Sequence, residues 1–341
     1  MSDFQTVQGF EEVWRPPVRP KRATPTSVLG VSGSKPDTRE RLVRLVNRAP
    51  EVMVKVTGRT RDPGHLRAHL EYISRNGELE LEARDGAFLV GRGEVHGLAS
   101  AWVVEQLADM RTRADAPFSH SVVLSMPAGT NPFALRDAAR AFAMDLFAGQ
   151  HDYVFTLHTD TPRPHVHLSI CSRGDAGQRL NPKKADLERW RQVFAEKLRE
   201  RGVEAEATPR RTRGVTRKPE RTPLRKIRDR HEAGRGEIAG VLRSAYREAA
   251  RAAFQGDTVP RAWERKAADR QGAIRSIYQA QARLLQASTD PRDQQLGDKV
   301  EAFVRAMPQP DSQRLALARE LRMAAKNREP ERPHGGPERR R

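Results

Sequence analysis

The stretch YVFTLHTDTPRPHVHLSI, residues Tyr153–Ile170, decides how the chain is read. Side chains alternate across a strand, so His165 and His167 share one face while Val166, Leu168 and Ile170 share the other. Tyr153–His158 is a strand, Thr159–Pro164 a turn, and antiparallel pairing brings His158 to the other two imidazoles. Neutral imidazoles facing one point form a divalent-metal site with open coordination positions. Asp160 is placed to accept a ring N–H and fix a tautomer. About 0.3 His-x-His pairs are expected by chance in a chain of this composition, so the pair alone says little. The added histidine and aspartate at strand-compatible offsets make the pattern informative; a solvated or core histidine cluster is the alternative.

Working outward, Val52, Val54 and Val56 alternate in a first strand, and Asp62-Pro63 opens a helix through Arg75 with Leu66, Leu70 and Ile73 in one stripe. Asn76-Gly77 ends it. A hairpin turning at Asp85-Gly86 follows, then a helix from about Leu98 to Arg111. Phe118–Met126 reads as a second core strand, and Asn131-Pro132 starts a helix that ends at Gly149. After the histidine hairpin, Leu187, Trp190, Phe194 and Leu198 mark a helix closed by Gly202. This order predicts an α+β fold, an antiparallel sheet covered by helices, followed by a basic, mostly helical C-terminal region.

The 341 residues hold 62 Lys and Arg against 44 Asp and Glu, a net charge of +18. The balance is +4 over residues 1–49, +1 over 50–199 and +13 over 200–341. A nearly neutral core with a strongly basic tail points to a polyanionic partner and away from a metabolic enzyme of neutral substrates. The single Cys171 excludes an intramolecular disulfide framework and fits a reducing cytoplasm. No secretory signal and no apolar run near the ~18 residues of a membrane span are visible. The expected division is a disordered basic arm (1–48), a globular domain (49–207), a basic linker (208–230), a helical basic region (231–327) and a disordered tail (328–341).

A metal facing a polyanion suggests phosphodiester chemistry, which needs a nucleophile. No phosphate loop, serine triad or reactive cysteine environment is present. Tyr72 lies beside the buried stripe of its helix, on the side of His65 and His69, where a hydroxyl could reach the metal-facing surface. Position alone favours the plainer reading, an amphipathic residue bracing the helix, and does not settle the matter.

The segments VMVKVTG, HLRAHLEYISRNGELELEARDG, VVLSMPAGTNP, YVFTLHTDTPRPHVHLSI and LNPKKADLERWRQVFAEKLRERGVEAEATPRR, in this order over about residues 51–213, resemble the relaxases, or mobilisation nucleases, of the His-hydrophobic-His (HUH) endonuclease superfamily. The chain is similar to the single-tyrosine branch that includes the T-DNA border endonucleases. The resemblance implies an antiparallel sheet of about five strands with flanking helices. It also implies Tyr72 as nucleophile and His158, His165 and His167 as ligands of Mg2+ or Mn2+. Asp160 matches the acid between the first and second histidines, a candidate base.

The function so implied is site- and strand-specific nicking at an origin of transfer through a 5′-phosphotyrosine, with strand transfer and religation. Single-stranded origin DNA, a relaxosome accessory protein and a type IV coupling protein are the implied partners. Arg75, Arg210, Arg211, Arg213 and Arg217 are candidate DNA contacts, although the run 208–230 reads equally as a solvated linker. A rolling-circle replication initiator and a non-catalytic DNA-binding or secretion adaptor are the rival readings. The former usually places its tyrosine after the histidines.

Overall fold

The structure, a computed structural model, describes residues 4–14, 31–33, 37–110, 113, 115–216, 220 and 222–327. In chain order, strands β1 (Gln5–Val7) and β2 (Val31–Gly33) pair antiparallel, and helix α1 (Thr38–Val46) precedes β3 (Met53–Thr60). Helix α2 (Pro63–Ile73) begins where the Asp62 carboxylate accepts the His65 backbone N–H at 2.7 Å. A hairpin of β4 (Leu81–Ala83) and β5 (Phe88–Leu89) leads into α3 (Gly91–Ala108). Helix α4 (Pro132–Phe147) follows β6 (Ser119–Ser125) and is capped by Asn131, whose side chain accepts from Phe133 and Ala134. The histidine hairpin is β7 (His151–His158) and β8 (His165–Gly174), and α5 (Lys184–Arg199) follows.

The sheet runs β3-β6-β8-β7-β4-β5, antiparallel throughout. It therefore has six strands where about five were expected; the two-residue β5 is too short to show as an alternating pattern. Helix α3 also starts earlier than the sequence suggested, at Gly91. Its first-turn Glu94 accepts the Val90 N–H at 2.6 Å, a cap that offsets the low helix propensity of Gly91, Gly93 and Gly97.

Each face of the sheet is packed by a different pair of helices. Val122, Leu124, Val166, Leu168 and Ile170 bury against Leu135, Phe142, Trp190 and Phe194 of α4 and α5. On the opposite face, Val154, Cys171 and Phe118 bury with Leu66, Leu70 and Ile73 of α2 and Val95 and Trp102 of α3. The apolar face of the His-x-His strand thus packs on helices as expected. The histidine face is not left wholly free, because α2 and α3 cover its other end.

The chain divides into two compact units, one of residues 15–20 and 35–208, the other of 1–14, 21–34 and 209–341. The second holds α6 (Thr222–Glu232), α7 (Gly240–Phe254), α8 (Ala262–Gln286), α9 (Pro291–Arg305) and α10 (Gln313–Lys326). Within the segment 1–48, read from composition as an arm, Phe10, Val13 and Trp14 are buried. The Trp14 indole donates to the Tyr278 hydroxyl at 2.9 Å, and Gln281 receives the Val7 N–H while donating to the Gln5 carbonyl. Contacts so remote in sequence leave no local periodicity to read. The segment 328–341 lies outside the described residues.

Candidate metal centre and tyrosine site

His158 ends β7 and His165 begins β8, directly opposite each other in the register, and His167 faces Thr156 two positions along. One ligand atom from each of the three rings lies within 4.8 Å of the others. The ring centroids are 4.5 Å apart for His158 and His167, 5.1 Å for His165 and His167, and 5.3 Å for His158 and His165. The hairpin read from sequence brings the three histidines together.

Backbone carbonyls set the tautomers of two of them. A carbonyl only accepts, so His158 Nε2, 2.7 Å from the Ile73 oxygen, carries the proton and leaves Nδ1 with its lone pair. His165 Nδ1 donates to the Arg163 carbonyl at 3.1 Å and leaves Nε2 free. Burial, with the neighbouring His158, His165, His69 and Arg75, pushes His167 down to about 3. Burial likewise lowers His158, against the raising effect of the Ile73 carbonyl. Neutral imidazoles with lone pairs free and converging are the donor set that a divalent metal takes, so these residues fit the ion that the sequence pattern implies.

Asp160 sits elsewhere than expected. Its carboxylate pairs with the Arg75 guanidinium, and the ring protons of His158 and His165 go to the two carbonyls. Arg75 follows α2 in the left-handed region (φ 53°), as do Asn76 (φ 59°) and Gly77 (φ 90°). That turn swings the guanidinium back over its own helix end, 5.8 Å from the centroid of the Tyr72 ring.

Tyr72 is 58% exposed, and its ring meets that of His167 edge to face with centroids 6.0 Å apart. His65, His69 and Tyr72 stand at i, i+4 and i+7 on α2, beside the buried stripe. His69 makes a hydrogen bond with Ser121 Oγ on β6 at 2.8 Å, and burial together with His65 lowers it to about 4. Ser121 and Ser125 are both buried, and Ser125 Oγ donates to the carbonyls of Met126 and Pro164. The His69–Ser121 pair and the two tautomer-setting carbonyls were missed from sequence; only the helical spacing of His69 and Tyr72 hinted at the first.

The remaining basic candidates fall in the other unit. Arg210, Arg211 and Arg213 form one turn of 3-10 helix, in which Arg210 is exposed. Arg211 donates to the Val13 carbonyl, and its own carbonyl accepts from Gln271 at 3.1 Å. Arg217 lies outside the described residues.

The six-stranded antiparallel sheet, carrying a His-x-His strand and a facing histidine, is consistent with an HUH-relaxase-like architecture. Residues 88–203 match the family "Relaxase: MobA/VirD2-like, nuclease domain", and this part of the chain is a relaxase nuclease domain related to the T-DNA border endonucleases. The matched span holds all three histidines; Tyr72 precedes it.

The chain is 28% identical over 188 residues to the T-DNA border endonuclease VirD2 of Rhizobium radiobacter, covering 50% of this chain and 44% of that protein. It is also 28% identical over 188 residues to VirD2 of Agrobacterium fabrum, covering 50% and 42%. The chain thus spans less than half the length of these curated relatives. Among solved structures, the MobM relaxase domain bound to pMV158 oriT DNA is 12% identical, covers 52% of this chain and 97% of its own, and superposes with a TM-score of 0.36. No helix among the described residues is long and apolar enough to cross a membrane.

Proposed function

We propose that this chain is a DNA relaxase that nicks one strand at an origin of transfer and conserves the broken bond as a 5′-phosphotyrosine on Tyr72. The observation that carries this reading is the edge-to-face approach of the Tyr72 ring to His167. It sets an exposed phenol beside a cluster of neutral imidazoles. Tyr72 Oη attacks the scissile phosphorus, an O–P bond to tyrosine forms, the bond to the 3′-oxygen breaks, and that oxygen leaves as a hydroxyl after taking up a proton. The phenolic proton departs to a neighbouring base or to water.

His158, His165 and His167 would hold Mg2+ or Mn2+. When bound, such an ion supplies charge neutralisation at the phosphate oxygens. Arg75 is within reach of the same charge and is held by Asp160 until a phosphate competes for it. Transesterification keeps the energy of the phosphodiester, so the reverse attack by a 3′-hydroxyl rejoins strands without ATP.

Single-stranded origin DNA is the proposed substrate, with a relaxosome accessory protein and a type IV coupling protein as partners in the cytoplasm. Arg210, Arg211, Arg213 and Arg217 are proposed to contact flanking phosphates, which would make binding steeply salt-dependent.

The test is denaturing electrophoresis of the full chain incubated with Mn2+ and labelled single-stranded DNA from the transfer region of its replicon. A shifted covalent adduct with wild type and none with Tyr72→Phe is expected. An adduct that persists in Tyr72→Phe overturns the assignment of the nucleophile.

A further inference from the structure

Helix α2 meets three strands that are consecutive in the sheet, β6, β8 and β7, in the order in which its own residues come. His69 hydrogen-bonds to Ser121 Oγ on β6 at 2.8 Å, and Tyr72, three residues on, meets the His167 ring on β8. The Ile73 carbonyl then accepts from His158 on β7 at 2.7 Å. Tyr72 therefore stands between two hydrogen bonds that cross from helix to sheet, one on each side of the strand it faces. Glu71 turns the other way, to Arg92 and His96 of α3.

The buried stripe does not fix this placement by itself. Leu66, Leu70 and Ile73 hold the helix on apolar surface, but apolar contact is non-directional and resists a roll about the helix axis less than a hydrogen bond of set length does. Tyr72, 58% exposed, has little packing of its own to hold it. At about 6 Å from a helix axis, a roll of about 10° moves an atom by about 1 Å. A misplacement of that size at a reacting atom can cost about 100-fold in rate.

His69 suits this task and not ligation. The imidazoles that converge are those of His158, His165 and His167, whereas His69 Nε2 is engaged by Ser121. With His69 lowered to about 4 by burial and His65, its ring is uncharged at neutral pH and the bond is a neutral one. Ser121 is itself held in place: it is buried, paired with Gly58 of β3 and Ser169 of β8, and its carbonyl accepts the Thr57 hydroxyl at 3.3 Å.

We infer that His69, through Ser121, is a positioning residue for Tyr72: the pair sets the roll of α2 and so the place of the phenol against the histidine cluster. Its effect on rate rests on the reading of Tyr72 as nucleophile; its effect on geometry does not.

The experiment labels the full chain with 3-fluorotyrosine and follows the 19F line of Tyr72, identified as the one missing from Tyr72→Phe. In wild type the His167 ring should displace this line from that of free 3-fluorotyrosine. His69→Phe and Ser121→Ala should each return it toward the free value, while His69→Gln, which can still hydrogen-bond to Ser121, should leave it near that of wild type. In parallel, the single-turnover rate of adduct formation at saturating Mn2+ and origin single strand should fall at least about tenfold in His69→Phe and in Ser121→Ala. The double variant should be no slower, because the two residues make one contact. His69→Gln should recover most of the rate, and affinity for Mn2+ and for DNA should stay as in wild type throughout.

A Tyr72 line that neither variant moves overturns the inference. So do losses that multiply in the double variant, a fall in Mn2+ affinity, which would make the pair part of the metal centre, or a fall in DNA affinity, which would put Ser121 on the strand. The two readings separate: a line that moves as described with no adduct from wild type leaves the positioning standing and sinks the nicking reaction. An adduct whose rate ignores both variants does the reverse.

Discussion

The ring Nε2 of His158 donates to the main-chain carbonyl of Ile73 at 2.7 Å, which ties a metal-ligand candidate to the last turn of the helix that bears Tyr72. Tyr72 and the histidine cluster are thus registered by one hydrogen bond from β7 to the end of α2. Whatever moves that end moves both.

Gly77 secures it. The Gly91 N–H donates to the Gly77 carbonyl at 3.0 Å, and a Cβ on Gly77, at φ +90°, would lie 2.5 Å from the main chain of Gly91 and Arg92. Gly77→Ala is expected to cost at least about 2 kcal/mol, combining left-handed strain with a backbone clash. Gly86→Ala, also at positive φ but in open space, should cost only about 1 kcal/mol. Thermal melts of the two variants test the contrast, and equal losses would refute it.

Removal of one imidazole should dismantle the candidate metal centre without unfolding the domain, since His167 is only partly buried. His167→Ala is expected to weaken Mn2+ binding by more than about 100-fold, beyond what loss of an outer hydrogen bond does. Tyr72→Phe should bind the ion as wild type does. Titration calorimetry of both variants reads this directly, and Mn2+ affinity retained by His167→Ala would place the ion elsewhere.

In the helical unit, Glu264 is buried. Burial opposes its ionisation, but Arg314, Ser312 and the Arg261 N–H outweigh that and hold the carboxyl at about 2 against an ordinary 4.5. A carboxyl depressed on folding contributes stability in full above its unfolded value, and loses it as pH falls toward the folded one. Roughly 3 kcal/mol should therefore disappear between pH about 5 and 2. The melting transition of this unit in wild type should fall over that window, and that of Glu264→Gln, already weakened at neutral pH, should fall less. Parallel curves would rule the pair out as the source.

Gln281 is fully buried and uses both ends of its amide on β1, accepting from Val7 at 2.9 Å and donating to Gln5 at 3.0 Å. Gln281→Ala strands a buried backbone N–H, a loss of about 1–3 kcal/mol. Trp14→Ala removes a buried indole and should cost about 3–5 kcal/mol. Calorimetry should show both losses in the transition of the helical unit alone. A wild-type melt from either variant would mean that residues 4–14 contribute nothing to it.

The histidine strand was legible because its information is local: a period of two puts His165 and His167 on one face whatever surrounds them, and a short turn returns the chain to His158. The caps at Asp62 and Asn131 were legible for the same reason, being side chains that bond their own next turn. Charge by segment separated a nearly neutral core from a basic remainder.

Pairings between distant elements had no such signature. Asp160 looked like a partner for an imidazole because it lies two residues from His158; the left-handed turn at Arg75 gives it a guanidinium instead. Arg211 looked like part of a linker, and only the folded unit shows its guanidinium on the Val13 carbonyl. Trp14 and Tyr278 meet across most of the chain's length. Periodicity and capping act within a few residues, and they sufficed for the core strands, most helices of the sheet unit and the histidine cluster, but not for the short β5 or the start of α3. Which carbonyls fix His158 and His165, and which ring Tyr72 faces, depends on how whole elements pack, and that was decided by tertiary structure alone.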